Sequence, residues 1–105
     1  MNRLEVLQQL FEEDNQDPFL LFALAKEWEK AANYQQALAF YERLHTSHPG
    51  ETGFYYHWGK LLEFMDKPQK ALEIYDLGIA NAVQQGDNHA GKELQAARLS
   101  CALLL

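Results

Sequence analysis

This sequence predicts an all-α chain of about six antiparallel helices, on three observations. Apolar residues recur at helical spacing along nearly all of its 105 residues. Three prolines and six glycines leave little material for the repeated turns of an all-β fold. One phrase is also written twice: QQALAFYERL at 35–44 returns as QKALEIYDLG at 69–78, 34 residues on.

The elements follow in order. In residues 2–13, Leu4, Leu7, Leu10 and Phe11 share one face of a helix and polar residues take the other. Asp17 suits an N-cap and Pro18 a first helical position, where proline's missing N–H has no partner to lose. That helix is expected to run to about Ala31, burying Leu21, Leu24, Ala25 and Trp28. Asn33 with Gln36 forms a capping box for a third helix, which carries Ala37, Leu38, Tyr41 and Leu44. It stops near His48, because Pro49-Gly50 cannot continue it. The fourth runs from Thr52 to Met65, with Tyr55, Trp58, Gly59 and Leu62 inward. Asp66 and Gln69 repeat the capping signal, and Pro68 sits in the permissive first turn of a fifth. That helix holds Ala71, Leu72, Tyr75 and Ile79 and is expected to extend past Val83 and fray at Gln84-Gln85-Gly86. A last helix, Asn88 to Leu103, puts Leu94, Ala97 and Cys101 on one side.

Composition narrows the function. Hydrophobic residues are 48% and charged residues 23%, ordinary values for a globular domain of this length. A net charge of −6 repels phosphate and gains no counterion release, which argues against a nucleic-acid ligand. The apolar runs fall far short of the roughly 20 residues that span a bilayer, so no membrane role is expected. The opening MNRLEVLQQLFEED is unlike a secretory signal. Cys101 is the only cysteine and cannot pair internally, which fits a reducing compartment, the cytoplasm.

Two helices per 34 residues is the signature of the tetratricopeptide repeat, and the chain resembles that family in detail. Units of 18–51 and 52–85 set Leu21/Tyr55 at the fourth position and Leu24/Trp58 at the seventh. Small Ala25/Gly59 stand at the eighth and bulky Trp28/Leu62 at the eleventh, with Ala37/Ala71 at the twentieth. Aromatic Tyr41/Tyr75 fill the twenty-fourth, and Pro49 closes the first unit. Six pairs are identical: Lys26/Lys60, Glu29/Glu63, Gln35/Gln69, Ala37/Ala71, Leu38/Leu72 and Tyr41/Tyr75. Gly78, Val83 and the turn residues Ala32 and Asp66 depart from the pattern. The resemblance implies a right-handed α–α superhelix. In it Ala25 faces Ala37 and Gly59 faces Ala71, the small residues letting helices approach. Residues 1–16 and 87–105 are then N- and C-terminal capping helices; Leu4, Leu7 and Leu10 fall in register with Leu38, Tyr41 and Leu44. The composition also resembles small stand-alone bacterial members, which serve as adaptors.

The residues themselves offer little chemistry. His45 and His48 could face one metal at i, i+3, but no carboxylate or thiol of suitable spacing joins them, and histidines at a helix C-terminus meet its dipole. His57 and His89 stand alone in the sequence. Cys101 reads as a small core residue. Ser47 and Ser100 lack a strained turn and a neighbouring base. Glu12-Glu13-Asp14 reads as a solvated face, and no glycine-rich phosphate loop exists. No enzyme activity, metal or cofactor is expected.

What the resemblance implies instead is a concave groove lined by the first helix of each unit. Carried onto this chain, that lining is Phe19, Phe22, Ala23, Lys26, Glu29 and Lys30, then Gly53, Tyr56, His57, Lys60, Glu63 and Phe64. Aromatic walls with two ammonium groups suit a partner peptide bearing apolar anchors and a carboxylate. In the opposing reading, the aromatics pack against the capping helices and the lysines pair with Glu29 and Glu63. Some members clamp acidic chaperone tails with lysines and asparagines. Phe22, Lys26 and His57 at the matching positions leave only a fragment of that clamp, so chaperone-tail binding is not expected. The second function class is a homodimer formed through the C-terminal helix, whose ALLL at 102–105 is rich in leucine.

Overall fold

The Oδ1 of Asn2 accepts the Glu5 N–H at 2.8 Å and starts α1, Arg3–Glu13. In the same way Asp17 accepts from Phe19 N at 3.0 Å and starts α2, Pro18–Lys30, with Pro18 in the first turn. Asn33 accepts from Gln36 N at 3.3 Å and starts α3, Tyr34–Ser47. The computed structural model describes residues 2–105, which form α4 (Phe54–Phe64), α5 (Pro68–Gln85) and α6 (Asn88–Leu103) besides, with no strand among them. The chain divides into two compact units, one ending at Pro49 and the other beginning at Gly50.

In the first unit α2 packs on both α1 and α3. Leu7 of α1 meets Leu20 and Leu24 of α2, and Leu4, Phe11, Ala23 and Phe40 close around them. Leu21, Ala25, Ala37, Tyr41 and Leu44 are buried with them. Each fully buried leucine or tyrosine contributes roughly 1.5–3 kcal/mol of apolar transfer. Leu20 is an addition to the expected core: α2 is contacted from two sides, so its buried stripe is wider than one hairpin requires. Leu10, expected on the inward face, is 45% exposed, and Trp28 is half-buried.

The α2–α3 turn is closed by backbone. Ala32 takes a left-handed φ of 60°, Ala32 N donates to Glu29 O and Asn33 N to Trp28 O, each at 2.9 Å. This is a Schellman ending, and it occupies the Asn33 N–H that a reciprocal capping box would have given to Gln36.

In the second unit α5 packs on α4 and α6, and α6 also reaches α4. Asp66 repeats the left-handed turn with φ 60°, its N–H going to Glu63 O and that of Lys67 to Leu62 O. Asp66 is therefore not the cap of α5, as its spacing to Gln69 suggested. Lys67 is, with no side-chain bond, because the residue before Pro68 is held out of the helical region. Helix α4 starts at Phe54 rather than Thr52: Thr52 and Gly53 form a bend, and Asn81 Nδ2 donates to Gly50 O and Glu51 O just before it, both 3.3 Å away. Helix α5 does not fray. It ends at Gly86, φ 69°, with Asp87 N bonded to Ala82 O at 2.9 Å. Asp87 then caps α6.

Gly78, a departure from the repeat pattern, sits where α5 touches both neighbours. A methyl there would stand 2.6 Å from Tyr55 Cβ and 3.0 Å from Leu94 Cδ1. Leu94, Ala97 and Cys101 are the buried face of α6, as the periodicity indicated.

Candidate functional site

Tyr41 is wholly buried on α3, and its hydroxyl cannot be left without an acceptor there. It donates to Glu29 Oε2 on α2. That same oxygen lies 3.6 Å from Lys26 Nζ, one turn earlier on α2. The second unit builds the same trio: Tyr75 on α5 donates to Glu63 Oε2 on α4, which lies 3.8 Å from Lys60 Nζ. Burial first, then the adjoining carboxylate, pushes both phenols far above the ordinary tyrosine range. Three of the six identities between the two copies are thus one polar constellation, repeated. Among the described residues, no buried side-chain nitrogen or oxygen lacks a partner.

Room for the second trio comes from Gly59. A methyl there would fall 2.2–2.7 Å from the Tyr75 ring, so the glycine makes space for that ring. The resemblance implied that Gly59 faces Ala71; the three atoms nearest a methyl placed on Gly59 belong to Tyr75.

The remaining expected residues distribute as follows. On α2, Phe19 is 80% exposed, Phe22 lies 6.4 Å from the Tyr41 ring, and Lys30 ends the helix in solvent. On α4, Tyr56 lies under Lys60 Nζ at 5.8 Å and meets His57 edge to face at 5.6 Å, while Phe64 is 71% exposed. Each helix therefore carries two kinds of surface on its expected face, a charge-balanced Lys–Glu pair and a largely exposed aromatic ring. Pairing at i, i+3 accounts for the charges as the opposing reading had it, and it leaves no net positive charge on either trio. Phe19 and Phe64 keep most of their surface exposed.

Spacing alone did not show what the tyrosines do. The signal was there in the identity of three polar positions, Lys, Glu and Tyr, within two copies that otherwise share little.

Other candidates fall into structural roles. His48 Nε2 meets Gln16 O. Cys101 is 1% exposed, its thiol pushed up by burial, and Sγ lies 3.6 Å from Pro68 O. Among the described residues no helix is long and apolar enough to cross a membrane. Leu99, Leu103 and Leu104 on and after α6 are exposed.

No protein-family profile and no curated protein sequence matches the chain. Solved structures do. A tetratricopeptide repeat domain protein from Salinibacter ruber, solved in solution, superposes with a TM-score of 0.83 at 40% identity, covering 88% of this chain and 93% of that one. A crystal structure of a tetratricopeptide repeat domain protein from the same organism gives 0.78 at 40% identity, covering 85% and 99%. A protein of Bordetella parapertussis, 22% identical, shares the fold with a TM-score of 0.82 over 97% of this chain and 89% of that one.

Proposed function

Since this chain belongs to the tetratricopeptide repeat family, we propose that it is a non-catalytic module that binds a partner protein's peptide, acting in the cytoplasm. Repeats 18–51 and 52–85, capped by 1–16 and 87–105, supply the first helices α2 and α4, and each offers the partner its own face. From α2 these are Phe19, Phe22, Lys26, Glu29 and Lys30; from α4, Tyr56, His57, Lys60, Glu63 and Phe64.

One observation carries the reading. Phe19 and Phe64 stand 80% and 71% exposed on the faces that such repeats turn to their ligands. Two large aromatics with this much exposed surface favour a covering apolar partner. With Lys26 and Lys60 each balanced by a carboxylate, those rings are the anchors, and the polar trios set orientation rather than attract an acidic tail.

Affinity capture from the source organism with the wild-type chain, Phe19→Ser with Phe64→Ser, and Lys26→Gln with Lys60→Gln tests it. The aromatic pair should abolish capture and the lysine pair weaken it, with melting temperatures near wild type. Full capture by the aromatic variant rejects the site.

A second reading, a homodimer through α6, is favoured by Leu99, Leu103 and Leu104, exposed at 60%, 75% and 81%. Light scattering during gel filtration decides it: a dimer that Leu99→Ser with Leu103→Ser converts to monomer supports this reading, and a wild-type monomer at high concentration removes it.

A further inference from the structure

Helices α1, α2 and α3 leave a pocket of about 410 Å³ among them, at the small end of the range of ligand sites. Each helix contributes one aromatic ring to its lining: Phe11, Trp28 and Phe40. Phe11 and Phe40 meet edge to face, 5.4 Å between centroids and 80° between planes, so their rings are set at near right angles. All three rings are half-buried, which distinguishes this space from a closed void in the core. The polar part of the lining is made of Glu12 and the amides of Gln8 and Gln36. Gln8, Phe11 and Glu12 fall on one face of α1 at i, i+3 and i+4.

The residues that line the pocket carry formal charge of one sign only. Aromatic faces carry negative charge density, and Glu12 adds a full negative charge at an exposed position. Every other polar group of the pocket is an uncharged amide. The chain itself shows what such a ring attracts: the Arg43 guanidinium lies over the Phe11 ring, 5.0 Å from its centroid. Arg43 follows Phe40 by three residues on α3 and, though it touches the Phe11 ring, it is not among the residues that line the pocket.

We infer that this pocket is a second binding site, which receives a cationic side chain, arginine or lysine, from a partner protein. The charged head stacks on Trp28 and the Phe11–Phe40 corner, Glu12 balances its charge, and the glutamine amides accept its N–H groups. An anionic group would be opposed by the same features, and a neutral apolar chain would leave Glu12 without a counterpart. The site uses residues of α1 and α3 that the peptide-binding faces of α2 and α4 do not include, so it stands or falls apart from them.

The test is a titration of the isotope-labelled full chain, followed by NMR, with capped tripeptides whose central residue is arginine, lysine or norleucine. Saturable shifts are expected at Phe11, Phe40 and the Trp28 indole N–H, with the cationic peptides bound roughly three- to thirtyfold more tightly than the norleucine one. Glu12→Gln should weaken only the cationic peptides, roughly two- to fivefold. Arg43→Gln should strengthen them, since a competing cation leaves the Phe11 ring. Glu12 and Arg43 are both exposed, and thermal melts confirm that the variants fold. Equal binding of norleucine and arginine, indifference to Glu12→Gln, or no saturable shift at these rings overturns the inference. Shifts confined to Phe19 and Phe64 overturn it too and leave the peptide-binding reading in place.

Discussion

Tyr75 donates its phenolic hydrogen to the Glu63 carboxylate across the α4–α5 pair. The Glu63 side chain is 19% exposed, so water does not readily replace that donor. Tyr75→Phe keeps the buried ring and removes the bond. It is expected to lower unfolding free energy by about 1–3 kcal/mol in urea titrations. Pairing it with Glu63→Leu should recover part of that loss, because no partly buried carboxylate is then left short of its tyrosine donor. An unchanged midpoint for Tyr75→Phe would mean that the hydroxyl is merely tolerated.

Gly59→Ala puts a methyl into the space of the Tyr75 ring. Overpacking costs roughly 1–3 kcal/mol and the gain in helix propensity returns up to about 1, so a net loss of about 1–2 kcal/mol is expected. The Tyr75 ring resonances should shift with it. A more stable protein would show that the two helices can part at no cost.

Ala32 holds φ 60° in the α2–α3 turn, a conformation that costs a residue with a Cβ about 1–2 kcal/mol. Ala32→Gly removes that strain, at the expense of greater freedom in the unfolded chain. The expected result is a gain of about 0.5–1 kcal/mol, read from the denaturation midpoint. Asp66→Gly in the α4–α5 turn should gain less, since its φ is also 60° but Asp tolerates that conformation better than Ala. Destabilisation in both would refute the strain argument.

Asp87 caps α6, and its carboxyl is held below the usual range, chiefly by the Ala90 N–H at 3.0 Å and next by Thr52. A depressed folded-state value stabilises the protein above the unfolded carboxyl's pKa, about 3.9, and that contribution disappears as pH falls through the folded value. Asp87→Ala should therefore melt below wild type at neutral pH, with the gap closing as acid is added below about pH 4. A gap independent of pH would place the effect in helix propensity rather than in the charged cap.

Several helix starts and stops were legible from neighbours in sequence, while the start of α4, the cap of α5 and its firm end at Gly86 were not. Asp17-Pro18, Asn33 and the apolar stripe of α6 gave their helices directly, because caps and i, i+4 periodicity are interactions within one turn of chain. The repeat of Lys26, Glu29 and Tyr41 at Lys60, Glu63 and Tyr75 told that two hairpins were alike, but not that each tyrosine bonds its glutamate.

That contact, the second buried side of α2 through Leu20, the exposure of Leu10, and the three-ring pocket were settled only by which helix lies against which. Spacing assigns a face to every residue, yet a face has no neighbour until a second helix is laid on it at a given depth. Gly59 and Gly78 set that depth in the second unit, and the rings and carboxylates found their partners accordingly.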